Sequence, residues 1–167
     1  MDALNTLLTG LVAVVALGVL LVAGTILKNW PPMLDSPGPV VRLGTYLSTN
    51  TVETREHAAR PELRNRFYDA TPRETWDAAR IAVDRLGWNV LHSDPDDLSI
   101  QAVASTRLLR FEDDVYIRVR GVEPDLSTVY FRASSRLGRG DFAANTRKLL
   151  DFRAHLEEEL MNRRQRN

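Results

Sequence analysis

Residues Leu7 to Leu27 read LLTGLVAVVALGVLLVAGTIL, about 21 residues without a charge. No other feature restricts the fold as strongly. At 1.5 Å of rise per residue, such a helix crosses the ~30 Å hydrocarbon core of a bilayer. Gly10, Gly18 and Gly24 are tolerated there because lipid offers the backbone no competing hydrogen-bond partner. Lys28, Asn29 and Trp30 suit the membrane–water interface, and Pro31-Pro32 ends the helix. A cleaved leader is the alternative. Against it, no Lys or Arg precedes the run, the run is long, and no clean A-x-A site follows. The chain is therefore expected to be a single-pass protein of the cell (inner) membrane, with residues 1–30 as its anchor. Thr9, Ala13, Ala16, Ala23 and Gly24 fall near one helix face and suit packing against another helix, although Leu20 interrupts the stripe.

The chain carries 22 basic and 22 acidic residues, a formal net charge of zero. A protein that tracks a phosphate backbone usually has a basic excess, so nucleic acid is not an expected partner. There is no cysteine, which excludes disulfides, thiol nucleophiles, Cys-ligated zinc and a lipobox anchor. Lys28 and Arg42 beyond the span, against Asp2 before it, weakly favour a cytoplasmic domain.

Residues 31–66 read as an extended connector, kept open by Pro31, Pro32, Pro37, Gly38 and Pro39. Within it, Leu43, Tyr46 and Leu47 suit one helical turn against the membrane, a partner or the domain itself. An α+β domain is expected over residues 67–160, followed by a basic tail at 161–167. Thr71-Pro72-Arg73-Glu74 is a capping-box start, followed by Trp76, Ala79, Val83 and Leu86 on one helix face, with Gly87 placed to end it. Trp88–His92 is a short strand. Alternation then predicts strands around residues 98–104, 115–120 and 129–134. Asp141 can cap a final helix whose apolar stripe is Phe142, Leu149, Phe152, Leu156 and Leu160. The expected order is α-β-β-β-β-α, two helices on one face of a four-stranded antiparallel sheet.

The runs Gln101–Arg107, Phe111–Arg120 and Ala133–Asn145 contain F-x-D-D and S-R-x-G-x-x-D-x-x-x-N, polar positions that no strand or helix period demands. In these segments the chain resembles the family called domain of unknown function 1499, over about Phe67 to Leu156. The resemblance implies membrane-anchored or exported proteins, frequently extracytoplasmic, with no established activity and no catalytic residue to carry over. The signature positions are Arg107, Asp113, Asp114, Arg136, Gly138, Asp141 and Asn145.

No serine sits in a G-x-S-x-G elbow, and His57, His92 and His155 are far apart. Asp94, Asp96 and Asp97 lack the glycine of a calcium loop. Glu112, Asp113 and Asp114 could do acid–base work if their environments separated their pKa values; pairing with Arg107, Arg110, Arg118 or Arg136 to fix a loop is favoured. Gly138 and Gly140 precede a helix, but Asp141 would repel a phosphate there. Asn145 shares a helix side with Phe142 and Leu149, so its amide should face the sheet and need partners, which the Asp113–Asp114 segment could supply. The polar signature is thus expected to be a structural clasp. No cofactor or metal is expected. The sequence favours a non-enzymatic accessory or scaffold subunit of a membrane complex, with other membrane subunits and the bilayer as partners; the family resemblance, against the charge count, implies a periplasmic domain. The alternatives are a small-molecule or lipid-binding module and, third, a hydrolase.

Overall fold

A computed structural model describes residues 2–105 and 111–166. Helix α1 spans Asp2–Asn29, and by length and apolar composition it can serve as a membrane anchor or a signal sequence. It is followed by α2 (Pro39–Ser48), β1 (Thr51–Glu53), a 3₁₀ turn at Pro61–Leu63 and β2 (Phe67–Tyr68). Then come α3 (Pro72–Arg85), β3 (Asn89–Asp94), β4 (Ser99–Ser105), β5 (Glu112–Glu123), β6 (Leu126–Ser135) and α4 (Ala144–Arg164).

Helix α3 starts where its sequence dictates. Thr71 Oγ1 accepts from the Glu74 N–H at 3.2 Å while the Glu74 carboxylate accepts from the Thr71 N–H at 2.9 Å. Gly87, at φ +67°, ends it. Strands β3 to β6 form an antiparallel meander, joined through pairs such as Ile100↔Ile117 and Ile117↔Phe131. Their alternation turns Val115, Ile117, Val119, Val129, Phe131 and Ala133 into the core. There they meet Trp76, Ala79 and Val83 of α3 and Leu149, Phe152 and Leu156 of α4.

The architecture differs from the expected one in two respects. Among the described residues the sheet has six strands rather than four, because β1 and β2 both pair antiparallel with β6, through Val52↔Ala133 and Tyr68↔Ser127. Strands of three and two residues are too short for alternation to be visible in sequence. The helix arrangement also differs. Residues 39–48, placed in an extended connector, form a helix of their own rather than a single turn. Pro39 starts it, since proline's fixed φ and missing N–H fit the first helical position.

Candidate functional site

The described signature residues gather where β5 begins, β6 ends and α4 begins, and strand alternation divides them into two layers. Asp113 shares the inward face with Val115 and is 3 % exposed; Asp114, one residue on, points out. Buried Asp113 ion-pairs with Lys148 of α4. Lys148 also donates to Asn145 Oδ1 at 3.3 Å. Asn145 is fully buried, and its Nδ2 donates to the Asn50 carbonyl at 2.9 Å and to Ser135 Oγ at 3.0 Å. Asn50 reciprocates: its own Nδ2 donates to the carbonyls of Gly138 at 2.8 Å and Ser135 at 3.2 Å. A buried amide must satisfy its donors, and these bonds do so while joining α4, β6 and the segment after α2.

The start of α4 is held differently from the expected Asp141 cap. The helix begins at Ala144, with Phe142 (φ +50°) and Ala143 (φ +67°) both left-handed. That conformation costs about 1–2 kcal/mol per non-glycine residue. It is offset by bonds that fix both residues. The Phe142 N–H donates to the Tyr46 carbonyl at 3.0 Å, and the Asp141 N–H to the Thr49 carbonyl at 3.1 Å, so this loop caps the end of α2. Asp141 accepts from the N–H groups of Ala143 at 3.0 Å and Asn145 at 2.9 Å. Burial pushes its carboxyl above the ordinary range, and those two N–H groups and Lys148 pull it back. Gly140 lies so close to α2 that a Cβ would strike the Leu47 carbonyl, and Gly138 takes φ +84°.

The outer layer is an exposed ion-pair group: Arg136 donates to Asp114 through Nε at 2.9 Å and Nη2 at 2.6 Å, and also pairs with Glu112. Arg107 and Arg110 lie outside the described residues. Arg118 pairs with Asp97 instead of joining the group. Two of the three candidate contact residues on α2 are outward, Leu43 at 40 % and Leu47 at 44 % exposure. Tyr46 is not. It is buried, its hydroxyl accepts from Arg42 and its ring lies under Arg60, so it cannot meet a partner. On α1, Thr9, Ala13, Ala16, Ala23 and Gly24 are all exposed, and the contacts to the domain come instead from Ile26 and Asn29.

A second buried group carries no motif in the sequence. Arg42 is fully buried, with all five N–H donors engaged. They reach both carboxylate oxygens of Glu62 at 2.5 and 2.9 Å, the Tyr46 hydroxyl, and the carbonyls of Asp35 and Ser36. The bonds to Glu62 hold the Arg42 pKa above its ordinary value despite desolvation. Arg153 of α4, also buried, donates to the carbonyls of Glu62 and Arg64. The sequence clue was spacing: Arg42 and Tyr46 stand four apart on one helical face, with Val40, Val41, Leu43 and Leu47 on the other.

Chemically, the arrangement ties segments together. Both oxygens of Asp141 hold backbone N–H groups, and Asp113 and Asp114 each face a cation. Among the described residues, no three His, Cys, Asp or Glu side chains are grouped to hold a metal ion. The layers predict different responses. Asp113→Asn leaves Lys148 without its charge partner in a buried setting and should cost roughly 2–3 kcal/mol. Asp114→Asn, at a solvated pair, should leave the melting temperature nearly unchanged. Thermal unfolding and in vivo complementation measured together check this. Lost function at full stability in Asp113→Asn would identify the signature as an active site.

A model of the family described as "Protein of unknown function (DUF1499)" matches residues 44–156. The match begins in α2, ahead of the Phe67 start expected above, and so takes in Tyr46, Asn50 and β1, the elements the buried bonds secure. Among curated proteins none matches. A solved structure titled "Crystal structure of conserved protein from Geobacillus kaustophilus" is similar at 15 % identity and a TM-score of 0.32, over 59 % of this chain and 93 % of that one.

Proposed function

The chain belongs to the DUF1499 family, and from that premise we propose that it is a non-enzymatic accessory or scaffold subunit of a membrane protein complex, anchored by α1. One observation carries the reading: the outer face of the sheet offers recognition chemistry while the polar signature is spent internally. Leu91 is 58 % exposed on edge strand β3, beside a hollow of about 370 Å³ that also presents Tyr116 and Arg132. Tyr116 is half-buried and Arg132 exposed, and an aromatic and an arginine beside an apolar residue are the types that carry binding energy at interfaces. The β-bulge between Val90 and His92 kinks the free edge, which favours recognition by side chains over addition of a strand.

Purification of the full chain from native membranes in mild detergent should retain a stoichiometric partner. Leu91→Arg should lose that partner with an unchanged melting temperature. A wild-type chain that purifies alone would overturn the proposal. The domain is proposed to be periplasmic, since long domains translocate largely regardless of flanking charge. Protease should therefore digest it in intact spheroplasts, and protection would place it in the cytoplasm.

A second reading, a ligand-binding module, draws on an open cleft of about 520 Å³ between residues 48–51 and 55–63. Its lining includes Asn50, Glu53, Arg55 and Arg60, which suits a polar molecule rather than an apolar one. A ligand retained through purification and displaced by Arg60→Ala would favour it.

A further inference from the structure

Helix α2 is amphipathic in the reverse sense for a helix lying on a folded domain. Its inward face is Arg42 and Tyr46, 0 % and 1 % exposed. Its outward face is apolar: Val40 is 82 % exposed, Val41 54 %, Leu47 44 % and Leu43 40 %, with no charged side chain among them. Water disfavours such a face on a surface helix, so something apolar should cover it.

The position of α2 identifies the cover. Asn29, at the end of α1, donates from Nδ2 to the Phe142 carbonyl at 2.7 Å, and the Phe142 N–H donates to the Tyr46 carbonyl at 3.0 Å. Two hydrogen bonds thus separate the last turn of the span from the last turn of α2. Leu27 is the last residue of the apolar run, so this relay sits at the edge of the hydrocarbon. The headgroup zone beyond that edge is only about 6 Å thick on each side. Trp30 at 75 % and Leu34 at 88 % exposure continue the apolar surface between the two helices, and exposed Lys28 and Arg139 are placed for lipid phosphates.

We propose that α2 is an interfacial helix, its Val40–Leu43–Leu47 face sunk among the lipid headgroups beside α1, so that the domain is seated on the bilayer rather than swinging from it. An amphipathic helix lies in the interface plane with its apolar face about 5–10 Å deep. The buried Arg42–Glu62 pair holds the opposite face on the domain, which fixes the orientation. This rests on α1 being a membrane anchor, the premise of the accessory-subunit reading.

The chain has no cysteine, so single cysteines can be introduced and labelled with a fluorophore at Leu43→Cys, Leu47→Cys, Leu11→Cys and Asp125→Cys. The full-length protein is reconstituted in phosphatidylcholine–phosphatidylglycerol vesicles and quenched by doxyl-labelled lipid or by aqueous iodide. Asp125, in the β5–β6 turn, lies roughly 30 Å along β6 from the α2 end and should be quenched by iodide alone. Labels at Leu43 and Leu47 should be quenched by the lipid and protected from iodide. Iodide access there equal to that at Asp125, with Leu11 still quenched by lipid, would overturn the interfacial helix and leave the anchor standing. Iodide access at Leu11 as well would overturn the anchor itself. Labels exposed in vesicles but shielded in native membranes would mean that a partner protein covers α2, which also overturns the proposal.

Discussion

Arg42→Met should release α2 and the segment behind it from the domain, at a cost of about 3–5 kcal/mol. The estimate is the usual penalty for removing one partner of a buried ion pair, because the other charge remains in low dielectric without compensation. Here the abandoned partner is Glu62, itself only 8 % exposed, whose side-chain oxygens both face Arg42. Three further acceptors lose their donor at once: the Tyr46 hydroxyl and the carbonyls of Asp35 and Ser36. Arg42→Lys should rescue little, since a compact ammonium cannot reproduce a planar fork that reaches five acceptors.

The damage should be regional. Strands β3 to β6 with α3 and α4 share the apolar core, to which β1 and the 3₁₀ turn add Val52 and Leu63, whereas α2 adds no residue to it and is held through polar bonds. Such a segment opens below the global unfolding free energy. Amide hydrogen exchange on the full chain in detergent should show α2 losing protection while β4 and β5 keep theirs. Unchanged protection of α2 would show that the Asn145 clasp alone holds it. Arg42→Met combined with Glu62→Leu should recover most of the loss, because replacing both members of a buried pair by apolar groups is often neutral.

How much of this was legible in the sequence varies with the physical signal each element carries. The capping box at Thr71–Glu74 and the alternation in β5 and β6 are local patterns, and the structure follows them; in β4, Ile100, Ala102 and Ala104 face the core as expected, but Ser99 and Val103 are buried as well. Helix α2 is also periodic, but its apolar face points outward, so orienting it by hydrophobicity puts Leu43 and Leu47 with Tyr46 on one side. The structure separates them. Burial of Asn145 followed from its place between Phe142 and Leu149. Its partner Asn50, 95 residues earlier, did not, because a bond between backbone carbonyl and amide leaves no mark on composition. Asp113 and Asp114 look like a pair in sequence, although strand alternation from Val115 already assigns them to opposite faces. The two left-handed residues before α4 are invisible to propensity, since Phe and Ala ordinarily avoid that region.

Trp76→Ala should remove about 3–5 kcal/mol from the domain, the range for truncating a buried aromatic side chain to alanine. Trp76 is 2 % exposed on the sheet-facing side of α3, and its indole N–H donates to the Ser99 carbonyl at 3.4 Å. Two guanidinium groups of the same helix cover the ring, Arg73 at 4.7 Å and Arg80 at 5.0 Å from its centre. Both arginines would lose cation–π contacts together with the packing, an effect of about 0.5–1 kcal/mol each at exposed sites. Small domains are stable by only about 5–15 kcal/mol, so this one substitution consumes a large share. It should also act globally, unlike Arg42→Met, because Trp76 belongs to the cluster that joins α3 to the strands. Trp88, packed at 6.3 Å from Phe131 and 6.4 Å from Phe152, supplies an internal optical probe. Urea unfolding of the detergent-solubilised chain, followed by near-ultraviolet circular dichroism, should show a lower midpoint, and amide hydrogen exchange should show protection lost in β4, β5 and α4 alike. Trp76→Phe should restore most of the midpoint, since the ring volume returns and only the indole hydrogen bond is missing. An unchanged midpoint in Trp76→Ala would mean that α3 contributes little to the core, and the packing of the sheet against its helices would need a different account.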